Sequence, residues 1–199
     1  MTATLERPDL VRWSCEADLD KYDADQTAWV QKRTGLILPE SRHFEELRLT
    51  PEEHIHIPAP ANRLVTVGLD AMTKQLIGTS ARPWDNTHTG LAVGDSSTAD
   101  AVGDTDLVAA TNKYYQVMDA TFPSQANGVL TFKSTYGSGI AEYQWNEYGV
   151  IVNTGTVTTM AGATSKNANY TLLNRKAPAA LGTKAAGTTW AFTVTITIV

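Results

Sequence analysis

The chain has one cysteine, Cys15, in 199 residues. A single thiol excludes an internal disulfide framework and any zinc site built from several cysteines. Its expected role is that of a packed small hydrophobe, and its expected setting a reducing cytoplasm. There is no apolar run of 18 residues, so no membrane-crossing helix is expected. The start, MTATLERPDLVRW, lacks an apolar h-region, so no signal peptide is expected. Basic residues are outnumbered, 16 against 21, for a formal charge of -5. That balance argues against a general attraction to nucleic acid or anionic membrane. Histidine is scarce: His43, His54, His56 and His88, with none further on.

What charge there is falls unevenly. The first 60 residues hold twelve acidic and seven basic side chains, and the remainder holds nine of each. The whole net charge therefore lies in the first 60. A boundary is expected near IPAPANR, residues 57–63, where two prolines stiffen the connection. Residues 1–62 are expected to form an acidic, extended and partly helical N-terminal arm that anchors the protein, and residues 63–199 a β-sandwich domain. Within the arm, DADQTAWVQKRTG predicts a helix over about Ala24 to Thr34, acidic at its start, basic at its end and stopped by Gly35. DLVRWSCEADLDKY fits a helix or an extended segment. LPESRHFEELRLTPEEHIHIPAP, broken by four prolines, is expected to be mostly loop or extended. The arm shows no core of its own and should pack on its own domain or on another chain.

The rest reads as β. In TTWAFTVTITIV, Trp190, Phe192, Val194, Ile196 and Ile198 alternate with Ala191, Thr193, Thr195 and Thr197, the period of a half-buried strand. RLVTVGLDAM, KYYQVMDATF, GVLTFKSTY, IAEYQWNEYGVIVN, GTVTTM and NYTLLNR are further candidates, separated by turn residues. Short strands at this spacing predict a mainly β fold, an antiparallel β-sandwich.

One stretch asks a chemical question. In GLAVGDSSTADAVGDTDL, residues 90–107, an apolar run enters Gly94-Asp95-Ser96, which resembles the nucleophile block of GDSL-type esterases. A serine nucleophile needs a base. That pattern places its histidine downstream, and no histidine follows Ser96. Its fold is α/β, whereas strands and turns follow here. Ser96 is expected to be a turn residue. His54 and His56, at i and i+2 in EEHIH, share a face if extended, with Glu52, Glu53 and His43 nearby in sequence. They are weighed as metal ligands against ordinary surface histidines. Asp95, Asp100, Asp104 and Asp106 are weighed as calcium oxygens against turn and cap residues. No catalytic, cofactor-binding or metal site is assigned.

The order of motifs after residue 88 is similar to a module of tailed-bacteriophage structural proteins. The matching residues are Gly94, Asp95, Asp104 to Leu107, Glu147 with Gly149-Val150, Leu173 to Arg175, Lys184, and Thr189 to Val199. The resemblance implies a non-enzymatic virion structural protein, a capsid decoration or minor capsid protein that binds and stabilises the phage head through its arm and exposes the β-sandwich. Its implied partners are the major capsid protein and copies of itself, with a homotrimer expected and no nucleic acid or membrane. It would be assembled in the host cytoplasm into the virion. The alternative is a fibre or tail attachment protein, with Trp84, Tyr143 or Trp145 stacking on sugar. Glu147 reads either as a solvent-facing strand residue or as a carboxylate anchored to backbone N–H groups or to Arg175.

Overall fold

A computed structural model describes residues 13–59, 62–80, 82–155 and 160–198. The first twelve residues of the expected arm, Pro60 and Ala61 of the expected boundary, and the centre of the strand expected in GTVTTM fall outside them. The fold is mainly β and antiparallel. In chain order the strands are β1 (Trp13–Tyr22), β2 (Glu53–Ile57), β3 (Arg63–Leu64), β4 (Thr89–Gly94), β5 (Lys113–Val117), β6 (Ser124–Ala126), β7 (Val129–Tyr136), β8 (Gln144–Trp145), β9 (Glu147–Asn153), β10 (Tyr170–Leu172), β11 (Asn174–Arg175), β12 (Gly182–Thr183) and β13 (Thr189–Ile198). The helices are α1 (Ala24–Thr34), α2 (Ser41–Glu46) and α3 (Thr66–Leu76). One sheet runs β2-β1-β13-β7-β6, a second runs β10-β9-β4-β5, and β11-β3 and β12-β8 are separate pairs.

The alternation read in β13 organises the first sheet. Trp190, Phe192, Val194 and Ile196 are buried in the main core cluster. Along β1 the partners of the last three are Leu19, Ala17 and Cys15, which enter the same cluster. Ser14, Glu16, Asp18 and Asp20 take the opposite face. The alternation in β1 is masked in sequence because two of its inward residues, Cys15 and Ala17, are small. The described part of the expected arm packs on its own domain, one of the two settings expected for it. In its described part, β1 pairs with β13 from Trp13↔Ile198 to Tyr22↔Thr189, and β2 pairs with the other side of β1. β1 is thus hydrogen-bonded along both of its sides within the sheet.

The proline-broken stretch is mostly loop and extended, as expected: β2 is its strand, only the six-residue α2 departs from the expectation, and Pro39, Pro51 and Pro58 lie outside both elements. One further expectation changes. RLVTVGLDAM was expected to be a strand. Only Arg63 and Leu64 form a strand, and α3 follows after an extended Val65. The period-two pattern competes here with a helical one: Gly68 and Ala71, at i and i+3, are the buried pair. Gly68 must be glycine, since a Cβ would stand 2.0 Å from the Leu173 carbonyl oxygen.

β4 and β9 are buried along their whole length. Leu91, Val93, Tyr148, Val150 and Val152 face the main cluster, together with residues of the first sheet. Ala92 and Ile151 face a second cluster with Val65, Tyr115 and Leu172. Strands covered on both faces read as continuous apolar runs, which is how GLAVG and YGVIV look. On the far face of the first sheet, α1 and α2 cover Tyr22 and Ala191 with Val30 and Phe44. α1 has the expected bounds, with an Asp23 capping box and Gly35 left-handed at φ 73°.

Candidate functional site: a buried ionic network

At the paired ends of β4 and β9, Gly94 lies opposite Glu147. A Cβ on Gly94 would fall 2.5 Å from Glu147 Oε1, so glycine alone leaves room for the carboxylate. Glu147 is fully buried. Its Oε1 accepts from Ala109 N at 2.7 Å and its Oε2 from Val108 N at 3.0 Å. Oε2 also accepts from Arg175 Nε at 2.7 Å. Both anchored forms considered for Glu147 occur together, and the solvent-facing form is overturned.

Arg175 on β11 is equally buried. Its Nη1 donates to Asp104 Oδ2 at 2.8 Å and to Ala99 O, and its Nη2 to Thr98 O at 2.9 Å. The planar fork of the guanidinium suits this multidentate role. The segment from Thr98 to Ala109 thus folds around one ion pair. Asp100 fastens it outside: Oδ2 accepts from Arg63 Nε at 2.7 Å and Oδ1 from Ala177 N. Asp106 accepts from Tyr115 Oη at 2.6 Å and Lys113 Nζ at 3.1 Å. Burial, with Asp106 beside it, pushes the Tyr115 hydroxyl far above its ordinary pKa. Asp95 accepts from Asn112 Nδ2 at 2.8 Å. The four aspartates are each engaged by a protein donor. Among the described residues, no three His, Cys, Asp or Glu side chains are grouped to hold a metal ion.

Ser96 is a turn residue: its Oγ accepts from Thr98 N at 3.2 Å. The histidines pair elsewhere. His88 contacts Asp85 at 2.6 Å, and His43 Nδ1 accepts from Glu40 N. His54 and His56 lie opposite Asp20 and Asp18 across β1 and β2, each with Nδ1 at 2.7 Å from its carboxylate. The hydrogen bond to Asp20 holds the His54 pKa above its ordinary value. Ser96→Ala should therefore leave hydrolysis of an ester such as p-nitrophenyl acetate at the wild-type background. A Ser96-dependent turnover would overturn the structural reading of this loop.

Lys184, also in the motif set, is buried, and its Nζ donates to Gly137 O at 3.0 Å and Thr188 O at 2.8 Å. Burial lowers its pKa from the ordinary lysine value to about 8. Between about pH 8 and the unfolded lysine value near 10.4, the unfolded chain binds the extra proton, so stability rises with pH. Wild type should accordingly gain stability over Lys184→Met as pH increases from 8 to 10. Parallel urea midpoints for the two proteins across that range would refute the shift.

Trp145 offers no platform for a sugar. It is fully buried, 4.6 Å from the Tyr136 ring and 4.8 Å from Trp190. Tyr143 and Trp84 are half-buried and pack against the same core. A cleft of about 400 Å³ beside Trp190, Glu52 and Glu53 already has a cation from the chain itself. Lys21 Nζ stands 4.6 Å over the Trp190 ring and 2.9 Å from Glu53.

One buried carboxylate went unnoticed in sequence. Asp119 accepts from Ser41 Oγ, Thr135 N and Thr135 Oγ1 at 2.6–3.0 Å, tying α2 to β7. Burial raises its pKa. Ser41 and Asp119 are 78 residues apart, and no local pattern joins them. The His–Asp ladder did leave a signal: DLD and HIH carry the same period of two.

No protein-family model matches the chain, and no curated protein or solved structure matches it.

Proposed function

We propose that the chain is a non-enzymatic structural protein of a tailed-phage virion, acting as a capsid decoration or minor capsid protein. Its two main sheets form an antiparallel β-sandwich around the shared core. The observation that carries this reading is the fate of the motif residues. Gly94, Asp104, Glu147, Arg175 and Lys184 are consumed in holding loops in place, as a protein whose task is a stable shape requires.

The partners are the major capsid protein and copies of this chain, a trimer being the proposed state, and the site of action is the virion. Attachment to the head runs through the N-terminal segment, residues 1–62, with the sandwich exposed outside. In the described part of that segment, Asp18 and Asp20 face histidines, Asp23 caps α1, Glu45 pairs with Lys133 and Glu53 with Lys21. Densitometry of purified particles on denaturing gels tests the reading. A copy number comparable with the shell subunit is expected. A copy number far below it would favour the fibre or tail alternative, and absence from particles would overturn a virion role.

A further inference from the structure

β2 is held to the first sheet by little apolar contact. It has five residues, Glu53–Ile57, and ends the sheet beside β1. Ile55 and Ile57 turn inward and are only partly buried against the main cluster. Pro51 precedes the strand and Pro58 follows it, and neither has a backbone N–H to donate. A short edge strand with few buried contacts belongs to the low end of local stability.

The outer face of β2 carries His54 and His56, and both meet carboxylates of β1. His54 Nδ1 is 2.7 Å from Asp20 Oδ1, and His56 Nδ1 is 2.7 Å from Asp18 Oδ1. His54 Nε2 lies 3.4 Å from that same Asp18 oxygen, so one carboxylate serves both rings. Both nitrogens of His54 therefore face carboxylate oxygens. A neutral imidazole has one N–H and would turn a lone pair on one of them, whereas the protonated ring donates from both sides. The two rings are half-exposed, so water reaches them and they titrate freely.

The surrounding charges leave the aspartates to the histidines. No lysine or arginine of the described residues forms an ion pair with Asp18 or Asp20. Glu16 continues the same face of β1, and across from Glu16 and Asp18 on β13 stand the uncharged Thr195 and Thr193. Lys133, beyond Thr193 on β7, is held by Glu45. Lys21 lies over the Trp190 ring and pairs with Glu53, the residue opposite it on β2. Glu52, just before β2, adds a further negative charge to the segment.

We propose that His54, His56, Asp18 and Asp20 form a pH-operated latch, which holds β2 on β1 while the rings are protonated and lets it lift when they are neutral. The hydrogen bond to Asp20 raises the His54 pKa while β2 is in place. In a lifted strand the ring returns towards its ordinary value of about 6.5. The closed form therefore binds the extra proton. Closure is strongest below about pH 6.5 and weakens as pH rises through the raised value. With the rings neutral, Glu16, Asp18 and Asp20 stand along one strand with no cation in their ion-pair shell. Lifting β2 bares Ile55, Ile57 and one edge of β1, whose backbone groups are then open to another strand. The latch thus decides when that edge is on offer.

Amide exchange of the purified chain, read by NMR as protection factors corrected for the intrinsic rate at each pH, is the test. The window runs from about pH 5.5 to 7.5, across the histidine range and below the Lys184 value of about 8. Protection of the β2 amides, residues 53–57, should fall about fivefold over it, the scale of one or two exposed ion pairs. The β13 amides, at the centre of the sheet, report its global opening and should not follow. Replacing both rings, His54→Asn with His56→Asn, keeps a neutral amide donor near each Nδ1 position and removes the titration. β2 protection in that variant should stay flat, near the wild-type level at the upper end of the window. Asp20→Asn should return the His54 titration, followed on its ring protons, towards the ordinary value. Far-UV circular dichroism of both variants should match wild type, since the substituted side chains lie on the outer face. The latch is refuted by β2 protection that is absent or flat in wild type, or that falls in step with β13. A pH dependence that survives the double histidine change, or a His54 titration unmoved in Asp20→Asn, refutes it equally.

Discussion

Arg175→Met should cost about 3–5 kcal/mol, the loss seen when one partner of a buried ion pair is removed and the other charge stays behind. The reason is local. Glu147 would keep only the Val108 and Ala109 N–H groups, while Asp104 and the carbonyls of Thr98 and Ala99 would lose their shared donor. Against a total stability of about 5–15 kcal/mol for a domain, that is a large fraction. The double variant Glu147→Gln with Arg175→Met removes both charges. It should cost less than the sum of the single changes, and a double-mutant cycle in urea would measure the coupling. Amide exchange at Val108 and Ala109 should rise in Arg175→Met before exchange in β9 does. A single-variant loss under about 1 kcal/mol would mean that the loop does not depend on this pair.

The second large effect is expected at Phe192. Its side chain is fully buried, 4.9 Å from the Tyr148 ring, and its strand partners are Leu19 and Ser134. Phe192→Ala should cost about 3–5 kcal/mol through lost transfer energy and the cavity left behind. Thr195, on the opposite face of β13 between Glu16 and Thr131, should lose no more than about 0.5 kcal/mol on change to Ala. Urea melts of the isolated protein separate the two. Equal, small losses would contradict the burial of the alternating face. A large loss for Thr195→Ala confined to an assembled state would place a neighbour on that face.

The terminal strand was legible because β-branched residues alternate over its whole length with nothing to obscure the period. The helix after Asp23 was legible because its cap, its charges and Gly35 agree. β1 was harder: inward Cys15 and Ala17 carry too little apolar surface to stand out against Asp18 and Asp20. α3 was misread because Val65, Val67, Leu69 and Ala71 also fit a period of two. Only the close approach of Leu173 to Gly68 decides between them, and that contact is long-range. At the site, the order of Gly94, Asp104, Glu147, Arg175 and Lys184 was visible, but not its meaning. Nothing in the spacing says that Arg175 reaches Thr98, 77 positions away. The Asp119–Ser41–Thr135 tie left no pattern at all.

The pairing of β1 with β13 bears on how the chain comes to be folded. The strand that begins the described fold finds its partner in the strand that ends it. At roughly 5–20 residues per second, β1 waits about ten to thirty seconds on the ribosome before β13 is made. During that interval Leu19, Ala17 and Cys15 have no facing strand, and one edge of β1 carries unpaired backbone groups. β2 can cover the other edge early, since it follows within 40 residues. The acidic residues spaced along β1 at Glu16, Asp18 and Asp20 then act as guards. They keep a nascent strand soluble and apart from its copies until the last segment closes the seam.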